Sequence, residues 1–142
     1  MTTIIAILLF LIFLFISSIH FYWAFGGKWG SNAVLPTKDD NNTKVLNPTI
    51  LPTLIVAFGL LGFGLFILLM SGLITFDTPL WLSKYGLWII ASIFTLRAIG
   101  DFNYVGFFKK IKQTKFGKND TKYFSPLCLT IGILTMILEL TK

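Results

Sequence analysis

The stretch from residue 50 to residue 73 decides the fold, and it reads ILPTLIVAFGLLGFGLFILLMSGL. It contains no charged side chain. An α-helix rises about 1.5 Å per residue, so a helix of this length crosses a hydrocarbon core of about 30 Å. Pro52 lies in the first turn, where a helix tolerates proline. The stretch therefore predicts a helix that spans a membrane.

Three further apolar runs predict three more spans, at residues 3–25, 80–100 and 123–140. The first run ends in the aromatic residues 20–23, without the small-residue cleavage site of a signal peptide, so we expect a retained transmembrane helix. Only a short turn separates the second and third spans, which favours a tight hairpin. The predicted fold is all-α, with residues 1–142 forming one domain, a four-transmembrane-helix bundle.

The composition excludes a soluble globular protein. Of the 142 residues, 55% are hydrophobic and 13% are charged, and the mean hydropathy is +0.80. A water-soluble core cannot absorb so much apolar surface. Cys128 is the only cysteine and His20 the only histidine, which excludes an intrachain disulfide and any site built from several cysteines or histidines. We expect no metal and no cofactor.

The charges predict an orientation. They sum to +6, and both polar segments, at residues 26–49 and 101–122, are net basic. Basic loops stay on the cytoplasmic side, so we expect both segments in the cytoplasm and both termini outside the cell membrane. Lysines that only determine topology explain the pattern, and a site for anionic lipid is the alternative. We expect no nucleic acid binding.

Rare polar groups gather at the cytoplasmic ends of the predicted helices. His20 ends the first helix, and Arg97 and Asp101 are four residues apart at the end of the third, with Tyr104 one turn later. Charges at a membrane boundary are costly and hence candidates for function. Arg97 either pairs with Asp101 to end the helix or holds a ligand, and His20 is either an aromatic anchor or an acid–base partner of Asp101. The candidates for ligand binding are His20, Tyr22, Trp23, Arg97, Asp101 and Tyr104.

The fourth span carries small and polar residues on one stripe, spaced by three or four positions. Such a stripe lets helices approach closely in lipid, which favours packing over a substrate path. A faint internal repeat accompanies it, because each half of the chain is a helix, a basic loop and a helix entered through Pro52 or Pro126. The two hairpin-like halves would be related by an axis along the membrane normal. The packing candidates are Ser125, Cys128, Gly132 and Thr135.

Four blocks of sequence carry a resemblance to a known family: HFYWAFGG at 20–27, VLPT at 34–37, RAIGDFNYVGFFKK at 97–110 and DTKYFSPLC at 120–128. They resemble the bacterial membrane family called domain of unknown function 3995. The resemblance covers nearly the whole chain and implies a small bacterial membrane protein with about four helices. It implies no activity, cofactor or catalytic residue.

Three functions fit these features. The first is a noncatalytic binding or accessory protein that holds a lipid, an isoprenoid or a partner membrane protein at the cytoplasmic interface, alone or as a homo-oligomer. The second is a membrane enzyme acting on a lipid-borne substrate through His20, Arg97 and Asp101, although no nucleotide loop, nucleophile elbow or metal motif is present. The third is a subunit of a proton-coupled transporter, which would need a charge deeper in the membrane. The first is our prediction.

Overall fold

The computed structural model describes residues 1–36 and 49–142. Within these residues all regular structure is helical. The elements in chain order are α1 (Thr2–Ala24), α2 (Ser31–Val34), α3 (Ile50–Met70), α4 (Leu80–Ile99), α5 (Lys115–Asn119), a π-helical turn (Asp120–Phe124) and α6 (Ser125–Thr141). Half of the first polar segment, residues 37–48, therefore lies outside the described residues.

Four helices are long and apolar enough to cross a membrane: α1, α3, α4 and the continuous helical stretch Lys115–Thr141. Large apolar side chains such as Phe15, Phe58 and Leu80 remain exposed along them. So much exposed apolar surface is unusual in a soluble protein and suits contact with lipid. The prediction of an all-α protein with four transmembrane helices is confirmed.

The last helical stretch begins earlier than the sequence predicted. We expected residues 101–122 to form a loop and the span to begin at residue 123, but α5 begins at Lys115 and continues through the π-helical turn into α6. The Thr114 hydroxyl accepts a hydrogen bond of 3.0 Å from the Gly117 backbone N–H and so caps α5. A search for apolar runs misses this start, because the first turns of the stretch carry lysines.

The helices pack as two antiparallel pairs, α1 with α3 and α4 with α6, whereas the backbones of α3 and α4 come close at only a few positions. The expected tight hairpin of α3 and α4 is therefore wrong. Small residues lie at the contacts within each pair, as is common where helices associate in lipid by close packing. Gly64 of α3 lies against Phe13 of α1, and Gly132 of α6 lies against Thr95 of α4. The pairs correspond to the two hairpin-like halves that the sequence suggested.

An aromatic cluster joins the two halves. The ring of Phe13 lies 6.1 Å from that of Phe63 and 5.2 Å from that of Phe94, both in edge-to-face arrangements. Nearby, the buried Ser17 hydroxyl donates a hydrogen bond of 2.7 Å to the Ala57 carbonyl of α3. These contacts connect α1 to both α3 and α4, so the bundle has one core.

Both polar segments leave the bundle at the same end, which we call the loop end. Ser17 lies against Ala57 near this end, and Lys142 Nζ donates to the Ser83 carbonyl at the opposite end. At the loop end, α2 contacts α5. The structure thus places α2, from the described part of the first segment, beside α5 of the second, while the side of the membrane that they face stays a prediction.

Candidate functional site

A buried carboxylate, that of Asp120, lies at the centre of the loop end. Its Oδ1 accepts a hydrogen bond of 2.8 Å from Arg97 Nη2. Its Oδ2 accepts 2.7 Å from the Gly106 backbone N–H and 3.0 Å from the Ser125 hydroxyl, and it lies 3.2 Å from Lys109 Nζ. One carboxylate therefore holds together the end of α4, the loop that follows it and the start of α6.

The side chain of Lys109 is buried completely, which is rare for a lysine. Its ammonium group donates to the Gly106 carbonyl at 2.9 Å and to the Thr121 hydroxyl, and it faces Asp120. An ammonium group has three donors, and each has a partner here. Lys109 is thus an internal residue of the loop end, although its neighbour Lys110 is exposed.

The cluster of Arg97, Lys109 and Asp120 contains two cations and one carboxylate. The side chain of Arg97 is 32% exposed, and within the described residues its Nη1 is buried with no hydrogen-bond partner. Two cations and one carboxylate leave one net positive charge at the boundary of the bundle. A buried ion pair is costly to break, because the remaining partner keeps an uncompensated charge.

Asp101 organises a backbone turn. Its Oδ1 accepts hydrogen bonds from the backbone N–H groups of Asn103, Tyr104 and Val105 at 3.0, 2.8 and 3.0 Å. Slight burial raises the pKa of Asp101, but these hydrogen bonds favour the carboxylate and hold the pKa below its usual value. The carboxylate on which an acid–base role would depend is therefore engaged in loop structure.

Two glycines let this turn fold back onto α4. Gly100 and Gly106 both have positive φ, +89° and +91°. A Cβ on Gly106 would overlap the Ile99 carbonyl and the Gly100 backbone, and a Cβ on Gly100 would overlap the Val105 carbonyl. The Phe107 N–H then donates to the Ala98 carbonyl at 2.8 Å. Only glycine permits both the conformation and the close approach.

The structure gives Arg97 a different acidic partner from the one that its helical spacing suggested. We expected a pair with Asp101, four residues away, but Arg97 binds Asp120, which is 23 positions further along the chain. Helical spacing does not find this partner, because the chain leaves the helix after Ile99. Asp101 and Asp120 are the only acidic residues between residues 97 and 124. The sequence of this segment therefore offers two possible acidic partners for Arg97.

His20 is anchored on its own helix. Its Nδ1 lies 2.8 Å from the Ile16 carbonyl, and its ring packs edge-to-face on Trp23 at 5.2 Å. Within the described residues, His20, Arg97 and Asp101 have separate hydrogen-bond partners, so no shared site is formed. Tyr104 contributes a backbone N–H to the Asp101 turn.

Tyr22 and Trp23 hold the chain that follows α1. Trp23 Nε1 donates a hydrogen bond of 2.8 Å to the Trp29 carbonyl, and the Tyr22 hydroxyl accepts from the Trp29 N–H at 3.4 Å. Trp29 therefore lies beside α1, where it forms one wall of an open groove of about 320 Å³. The groove is lined by Phe15, Ser18, Ile19, Tyr22 and Trp29.

The outside of the second polar segment is basic and aromatic. We call it the basic loop surface, and it consists of eight exposed residues, Phe102, Phe108, Lys110, Lys112, Lys115, Lys118, Lys122 and Tyr123. The rings of the two phenylalanines are 6.3 Å apart, and the Lys122 ammonium lies 5.2 Å from the centre of the Tyr123 ring. Lysines and aromatic rings together are typical of a surface at the lipid headgroups.

The four packing candidates have different surroundings. Gly132 lies close to Thr95 of α4, and the buried Thr135 hydroxyl donates to a carbonyl of its own helix. Cys128 packs against the edge of the core, whereas Ser125 belongs to the Asp120 cluster. Among the described residues, no group of three or more histidine, cysteine or acidic side chains is placed to hold a metal.

The comparisons with known proteins give a family. A family model described as "Protein of unknown function (DUF3995)" matches residues 13–135. Neither the search of curated proteins nor that of solved structures gives a match. The match includes the second half of α1, most of α6 and everything between them, so the chain belongs to the DUF3995 family.

Proposed function

We propose that this protein is a noncatalytic membrane protein that binds anionic lipid through the basic loop surface, with the loop end in the cytoplasm. One observation carries the proposal. Between residues 97 and 124, both carboxylates and two of the cations are used in internal contacts, while five lysines remain exposed on the outside. The excess of positive charge is therefore presented outward by a folded segment.

The internal contacts weigh against the enzyme hypothesis. The residues that would act as acid, base or anion holder are His20, Asp101 and Arg97. Each has a structural partner, namely the Ile16 carbonyl, the N–H groups of the loop turn, and Asp120. These partners give the three side chains structural roles, whereas within residues 1–36 and 49–142 the side chains of the five exposed lysines of the basic loop surface have no hydrogen bond or ion pair of this kind.

The basic loop surface matches anionic lipid headgroups in the sign of its charge and in its position at the membrane boundary. A lysine near an anionic membrane surface contributes about 1 kcal/mol of attraction. Phe102 and Phe108, both exposed, can lie at the boundary of headgroups and acyl chains while the lysines reach phosphates. The membrane is already present around the four spans, so the surface needs no soluble partner to be occupied.

The test is native mass spectrometry of the protein released from lipid discs that contain phosphatidylglycerol and phosphatidylcholine in equal amounts. Wild-type protein should retain phosphatidylglycerol preferentially. The variant Lys110→Gln/Lys112→Gln should lose about 30-fold in that preference, because two lysines contribute about 2 kcal/mol. The matched control is Lys84→Gln/Lys142→Gln, which removes two lysines from the opposite end and should keep the preference.

Two results would contradict the proposal. One is equal retention of both lipids by the wild-type protein. The other is specific copurification of a protein subunit or an isoprenoid that the double variant Lys110→Gln/Lys112→Gln retains unchanged. The first result would show that the basic loop surface does not select anionic lipid, and the second would show that the specific ligand binds without these lysines.

A further inference from the structure

We infer that the groove on α1 takes one hydrocarbon chain of the anionic lipid whose headgroup lies on Lys115 and Lys118 of α5. The inference rests on the proposed function and adds to it a defined seat for a single lipid molecule. It is carried by the lining of the groove, by its direction and by the contact between α2 and α5.

The lining of the groove suits a hydrocarbon chain. Phe15, Ile19 and Trp29 supply apolar walls, and the Ser18 hydroxyl is already bonded to the Leu14 carbonyl at 2.7 Å. A polar solute would therefore meet few free hydrogen-bonding groups there. The groove also opens beside exposed apolar side chains of α1, including Leu11 and Leu14, so the molecules that reach it are lipids.

The groove follows the direction of a lipid chain. Its lower wall is Phe15 and its upper part is Tyr22, seven residues later on the same helix. At 1.5 Å per residue these positions are separated by about 10 Å along the helix axis. A chain in the groove therefore runs along α1 toward the loop end, where headgroups lie.

Trp29 forms a preformed upper wall. Trp23 Nε1 holds the Trp29 carbonyl at 2.8 Å, and Gly27 packs so closely on the Tyr22 ring that a Cβ there would overlap it. The backbone of residues 26–29 is thereby fixed against the end of α1. Because this wall is already formed, less conformational entropy is lost in the protein when a hydrocarbon chain binds.

The route from the groove to the lysines is short along the fold. α2 begins at Ser31, two residues after Trp29, and it contacts α5. Lys115 and Lys118 of α5 are both exposed. The phosphate of a lipid whose chain lies against Trp29 is thus expected on the side of the molecule where α2 meets α5. This arrangement favours an anionic lipid over a zwitterionic one in the groove.

The test measures quenching of Trp29 fluorescence in lipid discs by lipids with brominated chains. The Trp29 signal is the difference between wild-type protein and Trp29→Phe. Brominated phosphatidylglycerol should quench this signal at a lower mole fraction in the disc than brominated phosphatidylcholine requires. Lys115→Gln/Lys118→Gln should reduce the preference about 30-fold, and the control Lys84→Gln/Lys142→Gln should leave it unchanged.

A second pair of variants tests the groove itself. Ser18→Phe fills the groove from an exposed helix position and should abolish the preference for the anionic lipid in quenching. Ile4→Phe adds a ring at an exposed position of α1 outside the groove and should retain the preference. Because both changes lie on the exposed side of α1, a folded protein is expected in each case, and circular dichroism checks it.

The outcomes distinguish this inference from the proposed function. If the two brominated lipids quench equally while phosphatidylglycerol is still retained preferentially in mass spectrometry, binding of the anionic lipid in the groove is overturned and the proposed function is not. Loss of both preferences overturns the proposed function as well. A Trp29 signal that neither lipid quenches shows that protein covers the groove, and it also overturns the inference.

Discussion

Asp120 is the residue on which the loop end depends most. It binds Arg97, faces Lys109 and accepts from the Gly106 N–H and the Ser125 hydroxyl. One buried carboxylate therefore joins the end of α4, the loop that follows it and the start of α6. Replacing such a group leaves its former partners with unsatisfied charge, which is the usual reason why buried ion pairs are intolerant of single changes.

Two neighbouring lysines provide a matched test of this cluster. Lys109→Gln removes a fully buried cation and should lower the free energy of unfolding by about 3 kcal/mol, because Asp120 loses a charged partner. Lys110→Gln changes an exposed side chain and should alter it by less than about 0.5 kcal/mol. Equilibrium unfolding in detergent micelles, followed by circular dichroism, measures both. Equal stability of the two variants would show that the buried cluster does not hold the loop end.

At the scale of elements, the turn after α4 depends on the close backbone approach of two glycines. Gly106 has positive φ and lies against the Gly100 backbone. Gly72, in the turn after α3, also has positive φ but has no atom within 4 Å of where a Cβ would lie. An alanine at Gly72 would therefore cause conformational strain alone, whereas an alanine at Gly106 would cause both strain and steric overlap.

Gly72→Ala should lower the free energy of unfolding by about 1 kcal/mol, which is the cost of the left-handed conformation for alanine. Gly106→Ala should lower it by more, because the Cβ also overlaps the Ile99 carbonyl. The same unfolding measurement compares them. If Gly106→Ala proved no worse than Gly72→Ala, the close approach of the two backbone segments would not be needed for the turn.

The elements differ in how far the sequence predicts them. The four spans could be predicted, because a long apolar run is stable in the membrane as a transmembrane α-helix. The start at Lys115 could not, since it depends on the Thr114 cap and not on apolar residues. The faint internal repeat suggested the pairing of α1 with α3 and of α4 with α6, but the contacts within each pair, such as Gly64 with Phe13, could not be predicted from it.

The candidate site shows the same limit. His20, Arg97 and Asp101 were identified because polar groups are costly near a membrane, and the structure places all three at the loop end. Their partners were not predicted, because Asp120 is distant in sequence from Arg97, and the Asp101 turn requires the glycines around it. Sequence thus found the right end of the molecule but not its contacts.

At the scale of the whole molecule, charge is distributed unequally between the ends. The segment from residue 97 to residue 124 holds seven lysine and arginine residues against two acids. At the opposite end, Lys142 lies 2.7 Å from Glu139, and Lys84 is exposed. The bundle therefore presents one strongly basic end, and this asymmetry underlies both the predicted orientation and the proposed lipid binding.

The most direct measurement is modification of lysines by an amine-reactive reagent, quantified by mass spectrometry in neutral and in anionic lipid discs. Lys109 should stay unreactive in both, and the five lysines of the basic loop surface should react in neutral discs. In anionic discs these five should become protected to a greater extent than Lys84 at the opposite end. A Lys109 as reactive as Lys110, or loop lysines no better protected than Lys84, would contradict a folded loop end that binds anionic lipid.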